Sequence, residues 1–189
     1  NPPPDVAGMT LAQDEYNRSN IILTWTPLDL STVPDLKGYE ARLGADWDTA
    51  TRINSDVIVG NTFSYAVNTS GSYTFMVKAI DNSGNYSVNA ATANITVIVV
   101  PDAPTNLTVT QDPKDRSVAV LSWNAVSGKD IAGYQITVNG QTYFTGELSF
   151  RYPLPASGIY TFAVASKTVA GKLSNTANAS ITATIEPYD

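Results

Sequence analysis

The chain repeats itself, and that repetition limits its possible folds more than any other feature. Leu23-Thr24-Trp25-Thr26 returns as Leu121-Ser122-Trp123-Asn124, and Gly38-Tyr39-Glu40 returns as Gly133-Tyr134-Gln135. Phe63-Ser64-Tyr65 is answered by Phe150-Arg151-Tyr152, and Gly71-Ser72-Tyr73-Thr74-Phe75 by Gly158-Ile159-Tyr160-Thr161-Phe162. Gly84 with Ser87 pairs with Gly171 and Ser174. The matches keep their order, so the 189 residues read as two copies of one unit, 1–100 and 101–189. The join, Val100-Pro101-Asp102-Ala103-Pro104, is held extended by its prolines, which predicts restricted pivoting.

Within each copy the apolar residues alternate. Ile21, Leu23 and Trp25 share one parity, as do Tyr73, Phe75, Val77 and Ala79, and then Tyr160, Phe162 and Val164. A period of two is the signature of half-buried strands, and no long segment carries the helical period. Met9 with Leu11, and Leu107 with Val109, read as the first strand of each unit. Asp81-Asn82-Ser83-Gly84-Asn85 and Asn139-Gly140 read as turns. The expectation is an all-β chain of two immunoglobulin-like sandwiches, each about the usual 100 residues.

The repeated words resemble the fibronectin type III family. Its members carry a Trp on the second strand, a Gly-Tyr opening the third, and a Leu six residues before a Tyr on the sixth. Here these are Trp25 and Trp123, Tyr39 and Tyr134, then Val67 with Tyr73 and Leu154 with Tyr160. Val67 departs from Leu but keeps the slot apolar. The resemblance implies two fibronectin type III sandwiches in tandem, with these six aromatic residues as structural core. Tyr73 and Tyr160 fall where a tyrosine corner would bond the backbone upstream.

Composition removes most chemistry. With no Cys and no His, disulfides, thiolate nucleophiles, imidazole bases and Cys/His zinc sites are excluded. A net charge of -6 repels phosphate backbones, so no nucleic-acid partner is expected. The most apolar stretch, Ile95 to Val100, is too short to span a bilayer, and no secretion signal is visible. Both ends, Asn1-Pro2-Pro3-Pro4 and Glu186-Pro187-Tyr188-Asp189, read as linkers from a longer polypeptide. Asp46, Asp48 and Asp56 lie on loops and read as solvated charge rather than a catalytic pair. Asp81-Asn82-Ser83-Gly84-Asn85 opens like a calcium loop, but no distal Glu follows, so it reads as a turn. No catalytic residue, cofactor or metal is expected, and the chain is read as a non-enzyme.

Candidate surface contacts are Trp47, Tyr143 and Phe144. Trp47 sits between two acids after the third strand. It is either an exposed contact, suited to stacking on a sugar ring, or a lid folded over the sheet edge. Tyr143 and Phe144 are neighbours on a strand, so one of them points outward. Asn68-Thr69-Ser70, Asn94-Ile95-Thr96 and Asn106-Leu107-Thr108 are glycosylation sequons that matter only in a eukaryotic secretory setting.

One stretch, Gly38 through Thr51, with Asp81 to Ser87, is similar to fibronectin type III modules in bacteriophage tail-tip and host-specificity proteins. That resemblance implies a structural or adhesive virion module, oligomeric through its parent. Its partners would be other virion proteins, parent-chain domains, or a bacterial surface polysaccharide or protein. The alternative is a spacer or carbohydrate-binding module of a secreted bacterial polysaccharide-degrading enzyme or surface protein. The corresponding locations are the virion or the extracellular and bacterial surface.

Overall fold

A computed structural model describes residues 1–186; the end residues 187–189, read above as linker, lie outside the described part. The chain forms two compact units, one largely from residues before Val100 and one largely from Val100 onward. In the first, β1 (Ala7–Asp14), β2 (Asn17–Thr26) and β5 (Thr62–Ala66) make a three-stranded sheet. The facing sheet has four strands in the order β4 (Thr51–Arg52), β3 (Leu36–Leu43), β6 (Gly71–Asp81) and β7 (Ala91–Val97).

The second unit repeats the plan. β8 (Thr108–Gln111), β9 (Val118–Ser122) and β12 (Ser149–Pro153) form its three-stranded sheet. β11 (Gln141–Thr145), β10 (Ile131–Val138), β13 (Gly158–Thr168) and β14 (Ala177–Ala183) form its four-stranded sheet. Every pairing is antiparallel, and each unit is an all-β, fibronectin type III-like sandwich.

The alternation read from the sequence becomes burial. Ile21, Leu23, Phe75 and Val77 are fully buried in the first core, and Leu121, Ile136, Phe162 and Val164 in the second. Trp25 meets Tyr39 edge to face at 5.2 Å, and Trp123 meets Tyr134 the same way at 5.4 Å. The tyrosine hydroxyls then leave the core: that of Tyr39 accepts from the Leu28 N–H at 2.8 Å, that of Tyr134 from the Val126 N–H at 2.9 Å. Each ring thus fills the core while its polar end ties down a loop amide.

Tyr73 and Tyr160 do the converse. Their hydroxyls donate to the carbonyls of Thr69 and Ala156, at 2.7 and 2.8 Å. The glycine before each of Tyr39 and Tyr134 is required by neighbouring backbone. A Cβ on Gly38 (φ 148°) would collide with the Ile58 carbonyl, and one on Gly133 (φ 155°) with the Thr145 carbonyl.

The amino-terminal segment is docked rather than free. Val6 is buried in the first core, and the Asp5 carboxylate accepts from both the backbone and side-chain amides of Asn89, at 2.7 and 2.8 Å. Those two bonds hold the Asp5 carboxyl below its ordinary pKa. At the other end of this unit Val97 and Val99 belong to its own core, while Ile98 and Val100 are exposed.

Candidate functional site

The outer faces of the two four-stranded sheets carry the candidate contact residues, and they differ sharply. On the first, Glu40 points away from the core yet is only 2% exposed. Three groups surround its carboxylate. The Arg42 Nε donates to Oε1 at 2.7 Å, the Tyr86 hydroxyl donates to Oε2 at 2.7 Å, and the Arg52 Nε lies 3.5 Å from Oε2. A buried carboxylate is tolerable when it is paired and hydrogen-bonded in this way. Burial, together with the bond to the charged Glu40, raises the Tyr86 phenol above its ordinary pKa.

Trp47 covers this cluster. The Arg42 guanidinium lies 4.4 Å from its ring centroid, the Lys78 ammonium 5.1 Å, and the Tyr86 ring meets it edge-on at 5.8 Å. Arg42 also donates to the Trp47 carbonyl at 2.7 Å. The loop 44–50 folds back to allow this: the Asp46 carboxylate accepts from the Asp48 N–H, and its carbonyl accepts from Ala50. Trp47 is half-buried, with its ring committed to its own sheet. The loop folds the ring over its own sheet as a lid and leaves it partly exposed. Met76, which pairs with Arg42 in register and shares its face, is sheltered as well.

Among the described residues no aromatic lid covers the second sheet, although Ala165 on the same face is buried. The equivalents by register are Gln135 for Glu40, Thr137 for Arg42, Ala165 for Lys78 and Ala163 for Met76. The connection between β10 and β11 is the two-residue turn Asn139-Gly140, both with positive φ, so no loop exists to carry a lid. Tyr143 turns inward; its ring packs against Phe150 and Tyr152 at 5.3 and 6.0 Å. Phe144 turns outward and is 56% exposed. Its ring lies over Gly133, whose missing Cβ would stand 2.7 Å from Phe144 Cζ. The Lys167 ammonium is 5.8 Å from the ring centroid. Beside them a shallow depression of about 400 Å³ is lined by Phe144, Lys167, Ala132 and the turn Thr168–Gly171. One signal that distinguishes Tyr143 from Phe144 was present in the sequence. A two-residue turn sets Ile136 opposite Tyr143 and Gln135 opposite Phe144, so the inward parity of Ile136 passes to Tyr143.

The remaining candidates hold themselves. Asp46, Asp48 and Asp56 are exposed. The Asp81 carboxylate accepts from the Asn85 side chain at 2.8 Å and from the Asn85 and Ser83 N–H groups at 2.8 and 2.9 Å, which lowers its pKa. Its oxygens therefore organise the turn 81–85. Among the described residues, no three Asp or Glu side chains gather as a metal site, and no helix is long and apolar enough to cross a membrane.

Sheets filled on one face by a paired Trp and Tyr, with a loop amide tied to each of the Tyr39 and Tyr134 hydroxyls, make two fibronectin type III-like sandwiches. A family model described as the Y_Y_Y domain matches residues 43–97, within the first sandwich. Chitinase A1 of Niallia circulans is 35% identical over 154 residues, covering 75% of this chain. The chain spans 21% of the length of that relative. Among solved structures, the FN1–FN3 domains of chicken CNTN1 align over 97% of this chain and 69% of that one, with 21% identity and a TM-score of 0.44. A structure titled FN3tt mut aligns over 43% of this chain and 94% of its own, with 27% identity and a TM-score of 0.38.

Proposed function

We propose that this chain is an accessory module of a secreted bacterial enzyme that degrades an insoluble polysaccharide, with catalysis in another domain of the same polypeptide. The observation that carries this reading is the 35% identity to a chitinase over 75% of the chain. An alignment that long includes part of both sandwiches, so the pair is matched and not a lone fold. The physics suits the role. Two antiparallel sandwiches with filled cores that rely on no disulfide suit an accessory role outside a cell. The sandwiches lie in the domains 1–100 and 101–189 and act as spacer and contact surface for the parent enzyme.

The phage-tail reading rests on Gly38 to Thr51. That stretch is accounted for by local packing: Glu40 and Arg42 hold the lid, and the loop delivers Trp47 to it. None of the relatives described above links the chain to a virion. The test is the complete reading frame around these 189 residues. The expected result is a glycoside hydrolase catalytic domain in the same frame, and a secreted product detected in culture medium. A frame of tail-assembly domains without a catalytic domain would overturn the proposal.

A further inference from the structure

We propose that the outer face of the four-stranded sheet in the second sandwich is a binding face for an extended, uncharged polysaccharide, with Phe144 as its stacking platform and Lys167 as its hydrogen-bond donor. The proposal rests on the accessory-module reading and deepens it by naming the contact surface and the chemistry of its ligand.

The first observation is the bare aromatic ring. Phe144 is 56% exposed although it stands on a regular strand, fixed by β10 pairing and by the close approach of Gly133 beneath it. A rigid, presented ring contributes contact area at little entropic cost. The second is Lys167. Among the described residues its only close partner is the edge of the Phe144 site, so its ammonium donors remain available. The two residues share one shallow depression with Ala132 and the turn Thr168–Gly171.

The third observation is the character of the rest of the face. Behind Phe144 the register runs through Gln135 to Ala165, and the next row through Thr137 to Ala163 and Asn178. These side chains are uncharged: Ala165 is buried, Gln135, Thr137 and Ala163 are half-buried and Asn178 is exposed, so the rows offer amides and a hydroxyl. On the first sandwich the same positions hold Glu40, Arg42 and Lys78; Arg42 and Lys78 lie against the Trp47 ring, and Glu40 pairs with Arg42.

This chemistry selects the ligand. The C–H face of a pyranose ring is weakly positive and meets the negative face of the Phe144 ring, while its hydroxyls lie at the rim within reach of amide, hydroxyl and ammonium groups. A protein partner is disfavoured, since its interface needs roughly 800 Å² per side around an apolar core. The exposed apolar groups here, Phe144 and Val169, are bordered by Thr, Gln and Ala and are too few for such a core. A polyanion meets a single cation here and a net charge of -6 on the chain.

The test is depletion of the 189-residue chain from solution by insoluble chitin and cellulose, with affinity electrophoresis in soluble neutral glucans and a sulfated glycan as the charged control. Four proteins are compared: the unaltered chain, Phe144→Ala, Lys167→Gln and Trp47→Ala, with thermal unfolding recorded to show that each is folded. Saturable binding to a neutral polysaccharide is expected, weakened about tenfold or more by Phe144→Ala, as for loss of a central aromatic anchor, and unchanged by Trp47→Ala. Lys167→Gln is expected to weaken it by roughly threefold, the range of one hydrogen bond. Failure of the unaltered chain to bind any neutral polysaccharide overturns the proposal, as does a Phe144→Ala protein that binds normally. Binding only to the sulfated glycan, or loss of binding in Trp47→Ala alone, overturns it too. A parent frame with a catalytic domain and no binding by this chain would leave the accessory reading in place and remove this inference.

Discussion

The outer faces of the two four-stranded sheets share one register and have opposite fates. On the first, seven residues between β3 and β4 carry Trp47 back across the strands, and a buried Glu40 anchors Arg42 beneath it. On the second, a two-residue turn joins β10 to β11, the carboxylate is replaced by Gln135, and Phe144 stands exposed. The inner faces scarcely differ: both place Trp against Tyr near 60° and within 5.4 Å. The lesson concerns strand geometry. Side chains alternate between faces, so one parity of residues can be held to a common core while the other diverges. Loop length then decides whether the divergent face is covered by its own chain or left open.

The largest effect should come from what the repeats share. Trp25→Ala and Trp123→Ala are each expected to destabilise their own sandwich by about 3–5 kcal/mol, as core aromatic truncations do. Denaturant unfolding, followed by amide NMR signals assigned to each unit, measures both. Strongly unequal losses would break the equivalence of the cores. A smaller effect should separate the outer faces. Glu40→Ala strips Arg42 and Tyr86 of their shared partner and should cost about 2–3 kcal/mol, below the range for fully buried pairs because the arginines are partly exposed. Gln135→Ala should stay within about 0.5 kcal/mol. Equal costs at the two positions would show that the lid contributes nothing.

The smallest effect is a pH dependence. The Tyr86 phenol is raised in the folded chain by burial and by Glu40, so folding favours its neutral form. That contribution is complete below the unfolded value of 10.0 and is lost as pH rises through the higher folded value. The first sandwich should therefore weaken from about pH 10 upward, and Tyr86→Phe should flatten that decline. An unchanged alkaline slope in Tyr86→Phe would assign it to another group.

The fold was legible because its signals are local. Trp25, Tyr39 and their repeats could be placed on strands by parity and by the glycine that precedes each tyrosine. The lid was not legible as a unit. Arg42 and Lys78 become neighbours only through the β3–β6 pairing, and Tyr86 arrives from the turn after β6. Nothing near Glu40 in sequence reveals that a carboxylate at an outward parity is buried. The amino-terminal clamp was not legible for the same reason. Pro-rich composition indicates extended backbone, and it carries no information about a clamp between Asp5 and Asn89.

The Asn139-Gly140 turn has one more consequence. Because it pins β11 to β10 with only two residues, substitutions at the outward positions 135, 137 and 142 should change the surface without altering the β10–β11 register. The second sandwich is thus a ready display scaffold. A small library at those sites, built around the fixed Phe144 ring, would sample new recognition specificities on an unchanged frame.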